Sequence, residues 1–272
     1  DKLVVGTDNE KNVINVYYTK RTDLSYTVEY RDATTKAELS DAKVVENQTF
    51  ESEVTETAIA INGYTVTGDA TKTITISATG ENKIIFYYTK RGDLGYVVNY
   101  LEKVTGKVLA AQKAVGDQEF EAQIDGENQK ITIDGYNYDS VDPETLTIGT
   151  DNEKNVINVY YTKRTDLSYT VNFLEKGSNR VLSPAKTVDN VAFETEITTE
   201  NEKITIDGYN YVSVSPADKL VVGTDNEKNV INVYYTKRTD LSYTVNYLEK
   251  GTNTVIRDAK VQGGMTFDTV VT

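Results

Sequence analysis

The residues from which chemistry could be built are few in this chain. Its 272 residues include no His, no Cys and no Trp, and only one Met. Without His or Cys there is no Ser/His/Asp or Cys/His arrangement for nucleophilic catalysis. The commonest general base and zinc ligand are also missing. Oxygen donors do recur, at Asp8, Asn9 and Glu10 and again at Asp151–Glu153 and Asp225–Glu227, but a drifted copy keeps only Gly80, Glu81 and Asn82. Calcium needs roughly six to eight oxygens around one point, so these positions read as a soluble polar loop, and no cofactor or metal is expected. Carboxylate pairs such as Asp8 and Glu10 lie in that loop, with no apolar pocket to raise a pKa. No catalytic residue is assigned and no enzyme is expected. No particular Lys and Asn recur in evidently buried, facing positions, as an isopeptide crosslink would require.

The recurring candidates for binding are four tyrosines, Tyr17, Tyr87, Tyr160 and Tyr234, each the first of a Tyr-Tyr pair. Their rings could stack on sugar rings. The alternative is that they cover a sheet or pad the contact between units. Beside each pair lies Lys-Arg with an Asp two residues on, as in Lys20, Arg21 and Asp23. This charge cluster reads as a solvated link with weak ion pairs.

These candidates are spaced by an internal repeat. The stretch T-D-N-E-K-N-V-I-N-V-Y-Y-T-K-R-T-D-L-S-Y-T-V runs Thr7–Val28 and returns unchanged at Thr150–Val171 and Thr224–Val245, with the drifted copy at Glu81–Val98. Measured between the four candidate tyrosines, the periods are 70, 73 and 74 residues. A fixed period of this kind signals an array. The expected domains are 24–93, 94–166 and 167–240, preceded by the C-terminal part of a repeat (1–23) and followed by the N-terminal part of one (241–272). A chain that starts and stops inside a repeat is most simply an excerpt of a longer array. Units this small bury only about 60% of their unfolded surface, so contacts between neighbours should add stability.

Within a unit the pattern is one of strands. Tyr169, Val171 and Phe173 alternate with polar residues, as a half-buried strand requires. A polar turn at Glu175–Arg180 leads to a less apolar return strand near Val181–Val188, where Pro184 fits a sheet edge. Phe193, with Phe50, Phe120 and Phe267 as its equivalents, is the apolar anchor of the next segment, a crossover with room for at most one or two helical turns. Ile204–Val214 reads as a strand broken by Gly208, where a bulge or a sharp entry to the strand would leave the following Tyr buried. Leu220–Val222, the loop G-T-D-N-E-K-N and Val230–Tyr235 read as a hairpin. Ile14, Val16 and Tyr18 and their copies form the core face of the last strand, and the candidate tyrosines lie on the opposite face. The joints are about five residues long and lack the composition of a flexible linker. The expected fold is therefore mainly β, a tandem array of small domains forming an elongated rod.

A formal charge of −13 argues against nucleic acid or an anionic membrane as partner. No apolar run approaches the roughly 20 residues of a membrane span. The Y-T-V-x-Y opening strand, the central Gly-Tyr (Gly63-Tyr64, Gly135-Tyr136, Gly208-Tyr209) and the V-x-V-x-Y closing strand resemble the mucin-binding (MucBP) repeats of Gram-positive cell-surface adhesins. The resemblance spans essentially the whole chain. It implies a β-grasp-like module in an extracellular, cell wall-anchored protein, with mucin or host glycoprotein glycans as partners. Three roles follow: stalk or spacer of an adhesin, multivalent binding by the repeats themselves, or self-assembly by strand exchange between the identical segments.

Overall fold

The computed structural model describes residues 2–272. Among them are twenty β-strands, five single 3-10 turns and no α-helix, in keeping with a composition rich in Thr, Val, Ile and Tyr. In the first repeat, β1 (Leu24–Asp32), β2 (Glu38–Gln48), β4 (Tyr64–Thr67) and β6 (Lys83–Lys90) form one sheet in the order β2-β1-β6-β4, while β3 (Glu53–Thr57) and β5 (Thr71–Thr75) pair as a separate ribbon. The middle repeat contains β7 (Leu94–Glu102), β8 (Val108–Gln118), β9 (Gln123–Asp125), β10 (Tyr136–Asp142), β11 (Thr145–Thr147) and β12 (Val156–Lys163). The third contains β13 (Leu167–Glu175), β14 (Val181–Val191), β15 (Glu196–Thr198), β16 (Tyr209–Ser215), β17 (Lys219–Val221) and β18 (Val230–Lys237). Their sheets repeat the order, as β10-β12-β7-β8 and β14-β13-β18-β16, each with its own two-stranded ribbon. A last hairpin joins β19 (Leu241–Leu248) to β20 (Val255–Met265).

The first and last strands of a repeat run parallel at the sheet centre. In the third repeat Val171 lies beside Ile231 and Phe173 beside Val233. Tyr169, Val171, Phe173, Ile231, Val233 and Tyr235 are buried there, and Ile197 and Leu220 of the ribbon close over them. Each such side chain contributes about 1.5–3 kcal/mol on burial. The return strand β14, with Pro184, is at the sheet edge as its polarity implies. The crossover carries a ribbon and one 3-10 turn (Thr199–Glu202) in place of a helix.

Three expectations fail in instructive ways. Ile204–Gly208 is not strand; the strand begins at Tyr209, and its irregularity falls between Tyr211 and Ser213. The reason is a buried phenol: the Tyr235 hydroxyl accepts from the Ile204 N–H (3.0 Å) and donates to the Ile204 carbonyl (2.8 Å), so this backbone needs no ladder partner. The G-T-D-N-E-K-N loop does not close a hairpin, because β17 pairs with β15 and β18 with β13 and β16. Instead it makes a 3-10 turn in which the Asp225 carboxylate accepts the Glu227 N–H, and its last residue, Asn229, is buried. The Asn229 amide holds Gly223 N–H (2.8 Å), Gly223 C=O (2.9 Å) and Ser168 C=O (3.0 Å). A buried Asn therefore does recur, here and at Asn155, but with backbone as its partner.

The third failure concerns the first copy of the repeated segment. Ile14, Val16 and Tyr18 are 71%, 66% and 91% exposed, whereas the identical Ile231, Val233 and Tyr235 are at most 1% exposed. Among the described residues before Leu24, the 3-10 turn at Asn9–Lys11 is the only regular element. The last strand of a repeat folds between the first and the edge strands of that repeat, and among the described residues no strand pairs with Val13–Tyr18. The alternating pattern specifies a face; the neighbouring strands are what make it a strand.

The chain divides into two compact units. One runs to Val98 and adds Gln112–Gly126 and Pro143–Ile157; the other comprises Asn99–Ala111, Glu127–Asp142 and Asn158–Thr272. Gln112–Gly126, which belongs in sequence to the middle repeat, thus groups with the first.

Candidate functional site: the joint between repeats

The feature that recurs with constant geometry is the joint. Between the middle and third repeats it begins with a turn at Ile133–Tyr136, closed by Tyr136 N–H donating to Ile133 C=O (3.1 Å). Gly135, at φ +78°, occupies its third position, which in a turn of this kind requires a left-handed residue. The ring of Phe193 from the following repeat lies directly on that glycine: a Cβ added to Gly135 would come within 2.4 Å of it. Tyr136 meets the same ring edge-on at 5.7 Å. The arrangement returns at Gly63, Tyr64 and Phe120, with 2.3 Å and 5.9 Å, and at Gly208, Tyr209 and Phe267, with 2.4 Å and 5.6 Å.

The Lys-Arg-x-Asp segment clips this contact together. Arg164 N–H donates to Gly135 C=O (2.9 Å), and Arg164 C=O accepts from Phe193 N–H (2.9 Å). Arg91 and Arg238 do the same between Gly63 and Phe120 and between Gly208 and Phe267. Each Arg side chain makes a two-pronged pair with the Asp two residues on, Arg164 to Asp166 at 3.0 and 2.9 Å. That pair is local, raising the guanidinium pKa and lowering the carboxyl by direct hydrogen bonds. Lys163 instead reaches Glu194 of the next repeat at 3.0 Å. The hydrogen bond holds Glu194 below the usual carboxylate range and Lys163 above the usual ammonium range. Both groups are about one-third exposed, so the pair adds little energy. Glu194 has φ +60°, and its counterparts Glu51, Glu121 and Asp268 are likewise left-handed. This bend after each Phe turns the chain back and leaves the ring projecting.

From sequence, Phe193 reads as an anchor within its own repeat, Gly208 as a bulge or a sharp entry to its strand, and the basic segment as a solvated link with weak ion pairs. The sharp entry is what forms, in the turn before Tyr209, and the Arg–Asp pairs are local and largely exposed; the correction is that Phe193 and the backbone of the basic segment join that glycine in one contact between neighbours. A signal was present in the spacing. Arg21 to Phe50, Arg91 to Phe120, Arg164 to Phe193 and Arg238 to Phe267 are each 29 residues apart although the repeats differ in length. Among the described residues, the Tyr136 hydroxyl is buried with no hydrogen-bond partner, and burial raises its pKa. The Tyr209 hydroxyl accepts from Arg180.

The four candidate tyrosines are placed as follows. Tyr87, Tyr160 and Tyr234 are half-buried on the sheet face opposite the core, beside Thr67, Ser140 and Ser213 of the adjacent strands. Lys36 Nζ sits 4.5 Å from the Tyr87 ring. Tyr17, expected on the same face, is 88% exposed in the unpaired N-terminal segment and lies on no sheet. Asp8, Asp151 and Asp225, the oxygen donors of the polar loop, each accept the N–H of the Glu two residues on.

No protein-family model matches the chain, and no curated protein matches it. Among solved structures it is similar to a type 2 repeat of the mucus binding protein MUB from Lactobacillus reuteri, at 16% identity and TM-score 0.20 over 53% of this chain and all of that one. It is also similar to Streptococcal High Identity Repeats in Tandem (SHIRT) domains 3-4 from a cell surface protein, at 13% identity and TM-score 0.22 over 51% and 98%. A third similarity is to the pilus adhesin SpaC from Lactobacillus rhamnosus GG, at 11% identity and TM-score 0.19 over 80% and 44%.

Proposed function

We propose that this chain is a non-catalytic repeat segment of a Gram-positive cell-surface adhesin, extracellular and tethered to the cell wall, in which the repeats 24–93, 94–166 and 167–240 serve as stalk or spacer. The observation that carries the reading is the joint: glycine, aromatic ring and backbone clip are rebuilt with the same partners at the three boundaries near residues 93, 166 and 240. Such a joint ties each repeat to the next through the same contact, and a spacer needs that property. The MucBP-like sequence pattern supplies the cellular setting.

A second reading, that the repeats themselves bind mucin or host glycans weakly and gain by multivalency, is favoured by one feature, the half-buried phenols of Tyr87, Tyr160 and Tyr234 beside polar neighbours. One experiment separates the two. Single repeats and the whole chain are assayed on immobilised mucin, with and without Tyr160→Ala and Tyr234→Ala. The spacer reading expects no binding at any valency. Binding that grows with repeat number and falls with these substitutions establishes the adhesive reading instead.

A further inference from the structure

The first repeat differs from the others at one sheet edge. In the middle and third repeats the edge strand is seven residues long, and its far end covers the start of the central strand: Val141 and Asp142 lie beside Val159 and Asn158, and Val214 and Ser215 beside Val233 and Asn232. In the first repeat that edge strand is only Tyr64–Thr67, and its ladder with β6 stops at the Thr67–Tyr87 pair. Gly68 (φ +80°) then turns the chain away into β5, a longer ribbon strand than β11 or β17. The stretch Lys83–Phe86, about 13 Å of strand, is therefore paired with β1 on one side only. Beside it lies an open cleft of about 570 Å³ lined by Asp69, Lys72, Ile74, Lys83, Ile85 and Tyr87 among others.

The cleft has a provisional occupant. Lys72 crosses it with its Nζ 5.4 Å from the Phe86 ring and donates to the Ile85 carbonyl at 2.6 Å. No carboxylate pairs with Lys72 among the described residues, whereas Lys83 is held by Glu29 (2.9 Å) and Glu81 (3.2 Å). A lysine capping a bare edge carbonyl satisfies one acceptor and leaves its own charge uncompensated. Open strand edges are templates for an added strand.

We propose that this edge of the first repeat receives an extended acidic segment of a partner protein, added antiparallel to β6 over Lys83–Phe86. The chain itself shows the required pattern at the same place in the middle repeat, where an apolar residue faces the core (Val141) and an acid follows it (Asp142). A guest N–H takes over the Ile85 carbonyl, and the released Lys72 ammonium meets the guest carboxylate. Two lysines at the edge disfavour pairing with the same edge of a second copy.

The test uses the full chain and a synthetic peptide, Tyr-Asn-Tyr-Asp-Ser-Val-Asp-Pro, which copies the edge strand of the middle repeat. Its controls are the same peptide with both Asp replaced by Lys, and one N-methylated at its second Asp, the residue set opposite Ile85 in this register. The expected result is amide chemical-shift changes confined to Lys83–Tyr87 and the Lys72 region. Ile85 amide exchange should slow at least about tenfold at saturation, both controls should bind at least about tenfold more weakly, and affinity should fall as salt rises. Absence of binding at millimolar peptide, shifts centred elsewhere, or equal binding of the Lys peptide overturns the proposal. Concentration-dependent shifts at the same amides without peptide overturn it in favour of a second copy.

Discussion

Gly135→Ala is the substitution on which the joint is most exposed to test. The added methyl would sit 2.4 Å from two atoms of the Phe193 ring, too close for any real carbon contact, while the backbone stays at φ +78°. A non-glycine residue in that left-handed region costs about 1–2 kcal/mol. The ring must also move off the glycine, forfeiting its edge contact with Tyr136, about 0.5–1.5 kcal/mol more. The joint should therefore open more easily by about 1.5–3.5 kcal/mol, or ~13- to 370-fold. Native-state hydrogen exchange reads this locally, through the Arg164 and Phe193 amides that bond Gly135 and Arg164. Those two amides should lose protection by that factor, while Arg91 and Phe120, which form the corresponding contact at Gly63, keep theirs. In a Phe193→Ala background the same Gly135→Ala change should cost at least about 0.5 kcal/mol less, because only the backbone term remains. Equal costs in the two backgrounds, or loss of protection spread evenly over the chain, would refute the contact as described.

Further expectations concern the polar groups inside each repeat. Tyr235→Phe removes both bonds to Ile204 and should cost about 1–2 kcal/mol in urea unfolding, whereas Tyr136→Phe deletes an unpartnered buried hydroxyl and should be neutral or stabilising; the reverse order would contradict the assignments. Asn229→Ala leaves Gly223 and Ser168 backbone groups without their side-chain partner, and a loss of about 2–4 kcal/mol is expected. A loss below 0.5 kcal/mol, on the order of a surface change, would show that water replaces the amide. The Tyr169 phenol is pushed up to about 12 by burial and then by its hydrogen bond to Glu202. Because its folded pKa exceeds the unfolded value of about 10, the associated stability is complete below pH 10 and is lost as pH rises from 10 to 12. Urea midpoints should fall across that window, and should fall less in Tyr169→Phe; a Tyr169 phenol titrating near 10 would contradict its burial.

How far the sequence could be read depended on what each residue answers to. Alternation along Tyr169, Val171 and Phe173, and along Ile231, Val233 and Tyr235, answers to a single face, so strands and core residues were legible. The edge position of β14 followed from Pro184 for the same local reason. Phe193, Gly135 and Arg164 answer to one another across a boundary between repeats. Each has an adequate local explanation, as anchor, strand entry or soluble link, so nothing local pointed to the contact they share. Asn229 was hidden in a polar loop because its partners, Gly223 and Ser168, are backbone groups that leave no trace in residue type. The segment at Val13–Tyr18 shows the opposite limit: identical letters take two conformations, because the neighbouring strands that order them lie outside the segment itself.

The claim on which the rest depends is that each glycine of the Gly-Tyr pairs carries the phenylalanine ring of the following repeat. Nuclear Overhauser effects between glycine Hα and phenylalanine ring protons measure that proximity directly. Strong cross-peaks are predicted for Gly63 with Phe120, Gly135 with Phe193 and Gly208 with Phe267, with ring-current-shifted glycine resonances. Glycine Hα signals at random-coil positions, without cross-peaks to these rings, would contradict it.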